Sequence, residues 1–190
     1  MIIDLKDVID DDLIYTYFSQ KIEHAMKKAS SLKSDPFRNY PLNYTGYDFY
    51  GDYLSMIFHL KITPHVSKIV NKELIPTFCY TRMYFPESKL TAHRDREACE
   101  ITVSHCHHGE PWKIHIEEED FITQTGTSLC YNGAEQSHCR ISPTPFKALY
   151  SFYSWVEKDG KYDEFKYDGS EKLEKVYNQM KQMTLDKSYI

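Results

Sequence analysis

The sequence predicts an α+β domain in which helices buttress a β-sandwich or barrel, and three observations carry this. Helical apolar spacing is confined to the two ends of the chain. Six or more short β-rich segments crowd the stretch 77–156 between them. Turn residues separate those segments at short intervals, as in sandwiches and barrels.

Asp10-Asp11-Asp12 offers an N-cap and negative charge where a helix would begin. Leu13, Ile14, Tyr17, Phe18, Ile22 and Met26 then recur at helical spacing, so residues 11–31 read as one amphipathic helix. Residues 34–52, rich in Tyr, Asn, Pro, Gly and Asp, read as an irregular connection. A second helix is expected to start near Pro64, with Val66, Ile69, Val70 and Leu74 as its inner face, and to stop before Pro76. From Thr77 the period changes: Phe78, Tyr80, Arg82 and Tyr84 alternate with Cys79, Thr81 and Met83, which is the pattern of a strand. Further strands are expected over 99–106, 112–117, 121–124, 127–132, 137–141 and 147–156. Gly109-Glu110-Pro111, Gly126, Asn132-Gly133 and Pro143-Thr144-Pro145 turn the chain between them. Leu173, Val176, Tyr177 and Met180 mark a C-terminal helix. The chain of 190 residues therefore reads as one domain: a helical support (1–76), a β core (77–156) and a C-terminal extension with a helix (157–190).

The net charge is −5 and the basic residues are scattered, so no positive stripe suits a nucleic-acid groove. No apolar run approaches a membrane span, and MIIDLKDVIDDD lacks the basic and apolar regions of a signal peptide. Five cysteines, odd in number and without Cys-x-x-Cys, suit reduced thiols. A cytoplasmic setting is expected.

The chemistry centres on His93-Arg94-Asp95. In extended backbone, side chains at i and i+2 share a face, so this imidazole and carboxylate can address one ion. A third ligand from another strand would complete one triangular face of an octahedron and leave three positions open, the arrangement of two-His-one-carboxylate iron sites. His-x-Asp alone is near chance in a chain with nine histidines, and its bland reading is a surface ion pair. The surrounding order gives it weight: His138 follows the Asn132-Gly133 turn, and Lys147 opens the aromatic strand Ala148–Trp155.

With MYFPESKLTAHRDREACEITVS and SLCYNGAEQSHCRIS, the stretch from Tyr80 to Trp155 resembles the double-stranded β-helix (a jelly-roll or cupin-like β-sandwich) of the Fe(II)/2-oxoglutarate-dependent dioxygenase superfamily, in its prolyl-hydroxylase-like branch. The resemblance implies that His93, Asp95 and His138 bind Fe(II) and carry catalysis. It implies 2-oxoglutarate as cosubstrate, its distal carboxylate on Lys147 and a hydrogen bond from Tyr84. It further implies that 2-oxoglutarate and O₂ become succinate and CO₂ while a C–H bond of an amino acid or peptidyl residue, such as proline, is hydroxylated. Ascorbate would be an accessory. Most members carry Arg where Lys147 stands, and a lysine cannot grip a carboxylate with a planar fork. Arg140, two residues after His138 on the same strand face, is therefore the second candidate for the carboxylate, and Arg82, in phase with Tyr84, the third.

Other features have plainer readings. His105-Cys106-His107-His108 invites a zinc site, but contiguous ligands rarely converge on one tetrahedral ion, so it reads as a strand end with one residue near the active site. A cupin-type metal protein that makes no use of 2-oxoglutarate is the alternative, with His105 or His107 as an extra ligand. Alternation turns Cys139 away from His138, and Glu117-Glu118-Glu119-Asp120 reads as a solvated turn. Trp112, Tyr150, Phe152, Tyr153 and Trp155 read as core. Tyr40, Tyr44, Tyr47 and Tyr50 read either as a packed loop or as an aromatic wall for substrate.

Overall fold

The computed structural model describes residues 1–31, 46–144 and 146–185. Helix α1 (Asp11–Ser31) buries Ile14, Phe18 and Ile22, while Leu13, expected inside, is 49% exposed. Helix α2 runs from Tyr53 to Val70, so it starts some ten residues before the expected position. Asp52 caps it by accepting the N–H of Leu54, and Asn71 ends it in the left-handed conformation with its N–H on the Ser67 carbonyl. Pro64 sits inside this helix rather than at its start. An interior proline costs about 3 kcal/mol, and burial of Met56, Phe58, Ile62 and Val66 offsets it. Helix α3 (Glu171–Leu185) docks through Tyr177, whose hydroxyl lies 2.7 Å from Nδ1 of the buried His59.

Among the described residues, ten strands form two antiparallel sheets: β1 (Ile2–Ile3), β2 (Gly46–Tyr50), β3 (Leu74–Tyr84), β4 (Leu90–His93), β5 (Ile101–His108), β6 (Trp112–Ile116), β7 (Glu119–Thr123), β8 (Ser128–Tyr131), β9 (His138–Arg140) and β10 (Ala148–Glu157). The six-stranded sheet has the order β1-β8-β5-β10-β3-β2, and the four-stranded sheet β4-β9-β6-β7. The topology is that of a double-stranded β-helix, as expected. The N-terminal region contributes β1 and β2 to it as well as helices. Of the expected irregular stretch 34–52, residues 34–45 lie outside the described residues and Gly46–Tyr50 is an edge strand. Gly46 allows the close approach: a Cβ there would stand 2.5 Å from the Met83 carbonyl oxygen. Strand β3 starts before Thr77 and contains Pro76, which the ladder tolerates because it faces Trp155 at a register shift. Glu119 and Asp120 are paired in β7, so only Glu117-Glu118 form the turn.

Alternation divides the large sheet. Its outer face (Val103, Leu149, Tyr153 and Met83) packs under α1 and α2 in the main core. Its inner face (Tyr84, Cys106, Tyr150 and Phe152) meets Trp112 of the small sheet. All five cysteines are buried and free. Among the described residues no helix is long and apolar enough to cross a membrane.

Candidate metal centre

Between the sheets lies a cavity of about 340 Å³, within the range of small-molecule sites. The antiparallel pairing of β4 with β9 sets His93 directly opposite His138. The chain then turns, and the Asp95 N–H donates to the Gly133 carbonyl at 2.9 Å, which swings the carboxylate beneath both imidazoles. His93 Nε2 lies 3.4 Å from one Asp95 oxygen and His138 Nε2 3.7 Å from the other. The three residues thus form one of two His/Asp groups, among the described residues, whose ligand atoms converge closely enough to hold a metal ion.

The far ring nitrogens fix how the two rings are oriented. His93 Nδ1 is 2.8 Å from the Thr91 carbonyl oxygen and His138 Nδ1 is 3.0 Å from that of Gln136. A carbonyl only accepts, so each Nδ1 carries the proton and each neutral ring presents an Nε2 lone pair to the site. Two lone pairs and a carboxylate facing one point repel unless a cation lies among them. The spacings exceed hydrogen-bond length and approach the roughly 3 Å between adjacent donors on an ion with bonds of about 2.1 Å. The donor set fits a divalent first-row metal such as Fe(II), with open positions toward the cavity. In the metal-free site the neighbouring Asp95 carboxylate raises the pKa of His93, while burial lowers that of His138.

Gly133 has a part the sequence did not reveal. A Cβ on it would lie 2.6 Å from Asp95 Oδ2 and 2.9 Å from Thr102 Oγ1, so the glycine makes room for the carboxylate. The sequence marked it only as a turn.

The three basic candidates separate by environment. Lys147 is exposed, with Nζ 5.5 Å from the Phe85 ring, and does not line the cavity. Arg82 already has an anion: one Nη donates to both oxygens of Asp48 at 3.1 Å. Arg140 lines the cavity and is 2% exposed. Its guanidinium lies 4.3 Å from the Trp112 ring centroid and 4.8 Å from that of Tyr150. It donates to the Trp112 carbonyl (2.9 Å) and to Thr123 Oγ1 (3.0 Å), and among the described residues no carboxylate pairs with it. Among the described residues, two neutral acceptors are all that this buried permanent cation has.

Tyr84 also lines the cavity, edge-on to Trp112, and burial raises its pKa, so the phenol keeps its proton. Across β2, β3 and β10, Tyr50, Tyr80 and Phe152 stack with centroid separations of 5.0 and 4.6 Å and form an aromatic wall. Of the four tyrosines read as a loop or a wall, Tyr50 lines the cavity. Tyr47 packs on Phe85, and Tyr40 and Tyr44 lie outside the described residues. At the mouth Arg96 stacks on Phe78 and pairs with Asp168. Trp112, Tyr150, Tyr153 and Trp155 are core, and Cys139 is buried on the other face of β9. His105 and His107 do not reach this centre; they point out of the opposite face of the large sheet, toward α1.

No protein-family model matches the sequence, and no curated protein matches it. Solved structures do share its fold. A prolyl-4-hydroxylase from Pseudomonas putida superposes with a TM-score of 0.54 at 10% identity, over 79% of this chain and 89% of that one. A viral collagen prolyl hydroxylase from Paramecium bursaria Chlorella virus-1, solved as a 2OG complex, gives 0.53 at 12% identity over 82% and 93%. A 2OG-Fe(II) oxygenase family protein from Burkholderia pseudomallei gives 0.50 at 12% identity over 68% and 74%. At these identities the likeness is one of fold, the double-stranded β-helix.

Proposed function

We propose that the protein is an Fe(II)- and 2-oxoglutarate-dependent oxygenase that hydroxylates a C–H bond of an amino acid or peptidyl residue. His93, Asp95 and His138 are its metal ligands, and Arg140 is the partner of the distal carboxylate. The observation that carries this reading is the buried Arg140 guanidinium, paired with no carboxylate among the described residues, in the same cavity as the converging donors. A metal triad alone suits many proteins. A triad sharing its cavity with a buried cation that lacks an anion suits a small dicarboxylate, one end at each pole.

Iron held by the triad would supply the redox chemistry that couples oxidation of 2-oxoglutarate by O₂, giving succinate and CO₂, to oxidation of the substrate. The protein's residues supply placement. Arg140 uses two of its five N–H donors on Trp112 and Thr123 and keeps the rest for a carboxylate. Trp112 and Tyr150 flank its charge and exclude water, which strengthens that ion pair. Tyr84 donates its phenolic proton to the same cosubstrate. Lys147 is replaced in this role by Arg140 because its ammonium is solvated outside the cavity. The wall of Tyr50, Tyr80 and Phe152 suits a flat or aliphatic ring such as that of proline. Ascorbate would act as an auxiliary reductant.

Oxygen- and Fe(II)-dependent conversion of 2-oxoglutarate to succinate is the test, with turnover lost in Asp95→Ala and in His138→Ala. Normal turnover in both variants contradicts the assignment.

A further inference from the structure

We propose that Asp11, His105 and His107 form a second divalent-metal site, separate from the cavity, that takes a borderline cation such as Zn(II) and clamps α1 to the outer face of the large sheet.

His105 and His107 stand two apart on β5 and share its outward face, with both side chains fully buried. Asp11, in the first turn of α1, lies over them. Its Oδ1 is 2.7 Å from His105 Nε2 and 2.8 Å from His107 Nδ1. Two imidazole nitrogens and a carboxylate oxygen thus converge from positions more than ninety residues apart in sequence. The far nitrogens are held as well: His105 Nδ1 is 2.6 Å from Ser128 Oγ, and His107 Nε2 is 2.8 Å from Ser151 Oγ. Ser151 is in turn 2.6 Å from Thr81 Oγ1, which is 2.8 Å from Ser55 Oγ. Metal-bound histidines characteristically have the other ring nitrogen fixed by such an outer partner.

Hydroxyls donate or accept, so both tautomers are available to each ring. Without an ion, the ring nitrogens facing Asp11 carry protons and the serines donate to the far nitrogens. With an ion, the protons sit on the far nitrogens and the serines accept. The three donors then face the ion as lone pairs, and Asp11 need only withdraw by about half an ångström to reach the spacing around a zinc with bonds of about 2.0–2.1 Å. The Asp11 side chain is 22% exposed, and its Oδ2 lies near Gly126, which carries no side chain of its own; the Lys6 side chain also approaches this point. Water on that side completes the coordination. Apolar packing of Ile14, Phe18 and Ile22 already holds α1, so anchoring the helix does not by itself account for two buried imidazoles on one carboxylate oxygen.

The test uses the full chain carrying His93→Ala and His138→Ala, which removes both imidazole ligands of the cavity and leaves Asp95. This variant and the unaltered protein are loaded with Zn(II) or Co(II) alone, dialysed, and assayed for bound metal and, with Co(II), for visible absorption. The expected result is two ions per unaltered chain, one per His93→Ala/His138→Ala chain, and at least a hundredfold weaker binding when Asp11→Asn is added. X-ray absorption at the zinc edge of the double variant should show two imidazoles, a readout that holds even if the Asp11 change impairs folding. No retained ion in a folded double variant, or binding indifferent to Asp11→Asn, overturns the proposal. If the unaltered and double-variant chains each bind one ion, the outer site stands and the cavity assignment fails, so the two readings are judged separately.

Discussion

Among the described residues, two groups each bring together two histidines and one aspartate, one between the sheets and one outside the large sheet under α1. They differ in what stands behind the imidazoles. Behind His93 and His138 are backbone carbonyls, which fix one tautomer and leave lone pairs aimed at the site. Behind His105 and His107 are serine hydroxyls, which permit either tautomer. The donor spacing follows: 3.4 and 3.7 Å inside, longer than ordinary hydrogen bonds, against 2.7 and 2.8 Å outside. The inner group holds its donors in one orientation, which suits a cation. The outer group is satisfied as it stands and adapts to an ion. A ligand set is thus read from the groups behind it as much as from its own residue types.

Substitutions test that contrast. The greatest change should come from Arg140→Ala, which removes the buried cation. The KM for 2-oxoglutarate is expected to rise roughly a hundredfold, about 3 kcal/mol of a buried charged contact. Arg140→Lys should recover only part of it, because an ammonium cannot keep the Trp112 and Thr123 bonds and grip a carboxylate together. Steady-state kinetics with varied 2-oxoglutarate distinguishes these. Next is Gly133→Ala, which displaces Asp95. Metal affinity should fall about 10–100-fold, as for loss of groups that orient ligands, with far-UV circular dichroism unchanged.

At the outer group the effect is on stability. Burial opposes ionisation of Asp11, yet the hydrogen bonds from His105 and His107 bring its pKa from 3.8 down to about 2. A depressed carboxylate pKa stabilises the fold above its unfolded value, and that contribution is lost as pH falls toward the folded value. Acid unfolding of the metal-free protein should therefore show roughly 1–2 kcal/mol lost between about pH 4 and pH 2, allowing for the partial exposure of Asp11. This loss should be absent in Asp11→Asn. The slightest change belongs to Lys147→Ala: an exposed residue outside the cavity should alter stability and the KM for 2-oxoglutarate by no more than about 0.5 kcal/mol.

Periodicity made α1 and most strands legible, because their patterns follow directly from which face is buried. Strand β2 was hidden because pairing with β3, rather than its own composition, makes it a strand. The start of α2 was hidden because Pro64, usual in a first turn, here sits inside a helix held by its buried face. At the site, His93, Asp95 and His138 were visible as a spaced pattern, and the β4–β9 register brings them together. The order of Arg140 and Lys147 was not visible. Both lie near strand ends, and only the tertiary position of each decides which charge is enclosed. The role of Gly133 depends on an atom it lacks, beside a residue 38 positions away, which no local pattern records.

The pairing of metal triad and enclosed arginine in one cavity is tested by calorimetric titration of 2-oxoglutarate into the protein, with and without Mn(II), under anaerobic conditions. One equivalent should bind to the Mn(II)-loaded protein, with binding greatly weakened when the metal is omitted or when Arg140→Ala is present. No binding to the metal-loaded protein, or binding unaffected by Arg140→Ala, would contradict the assignment.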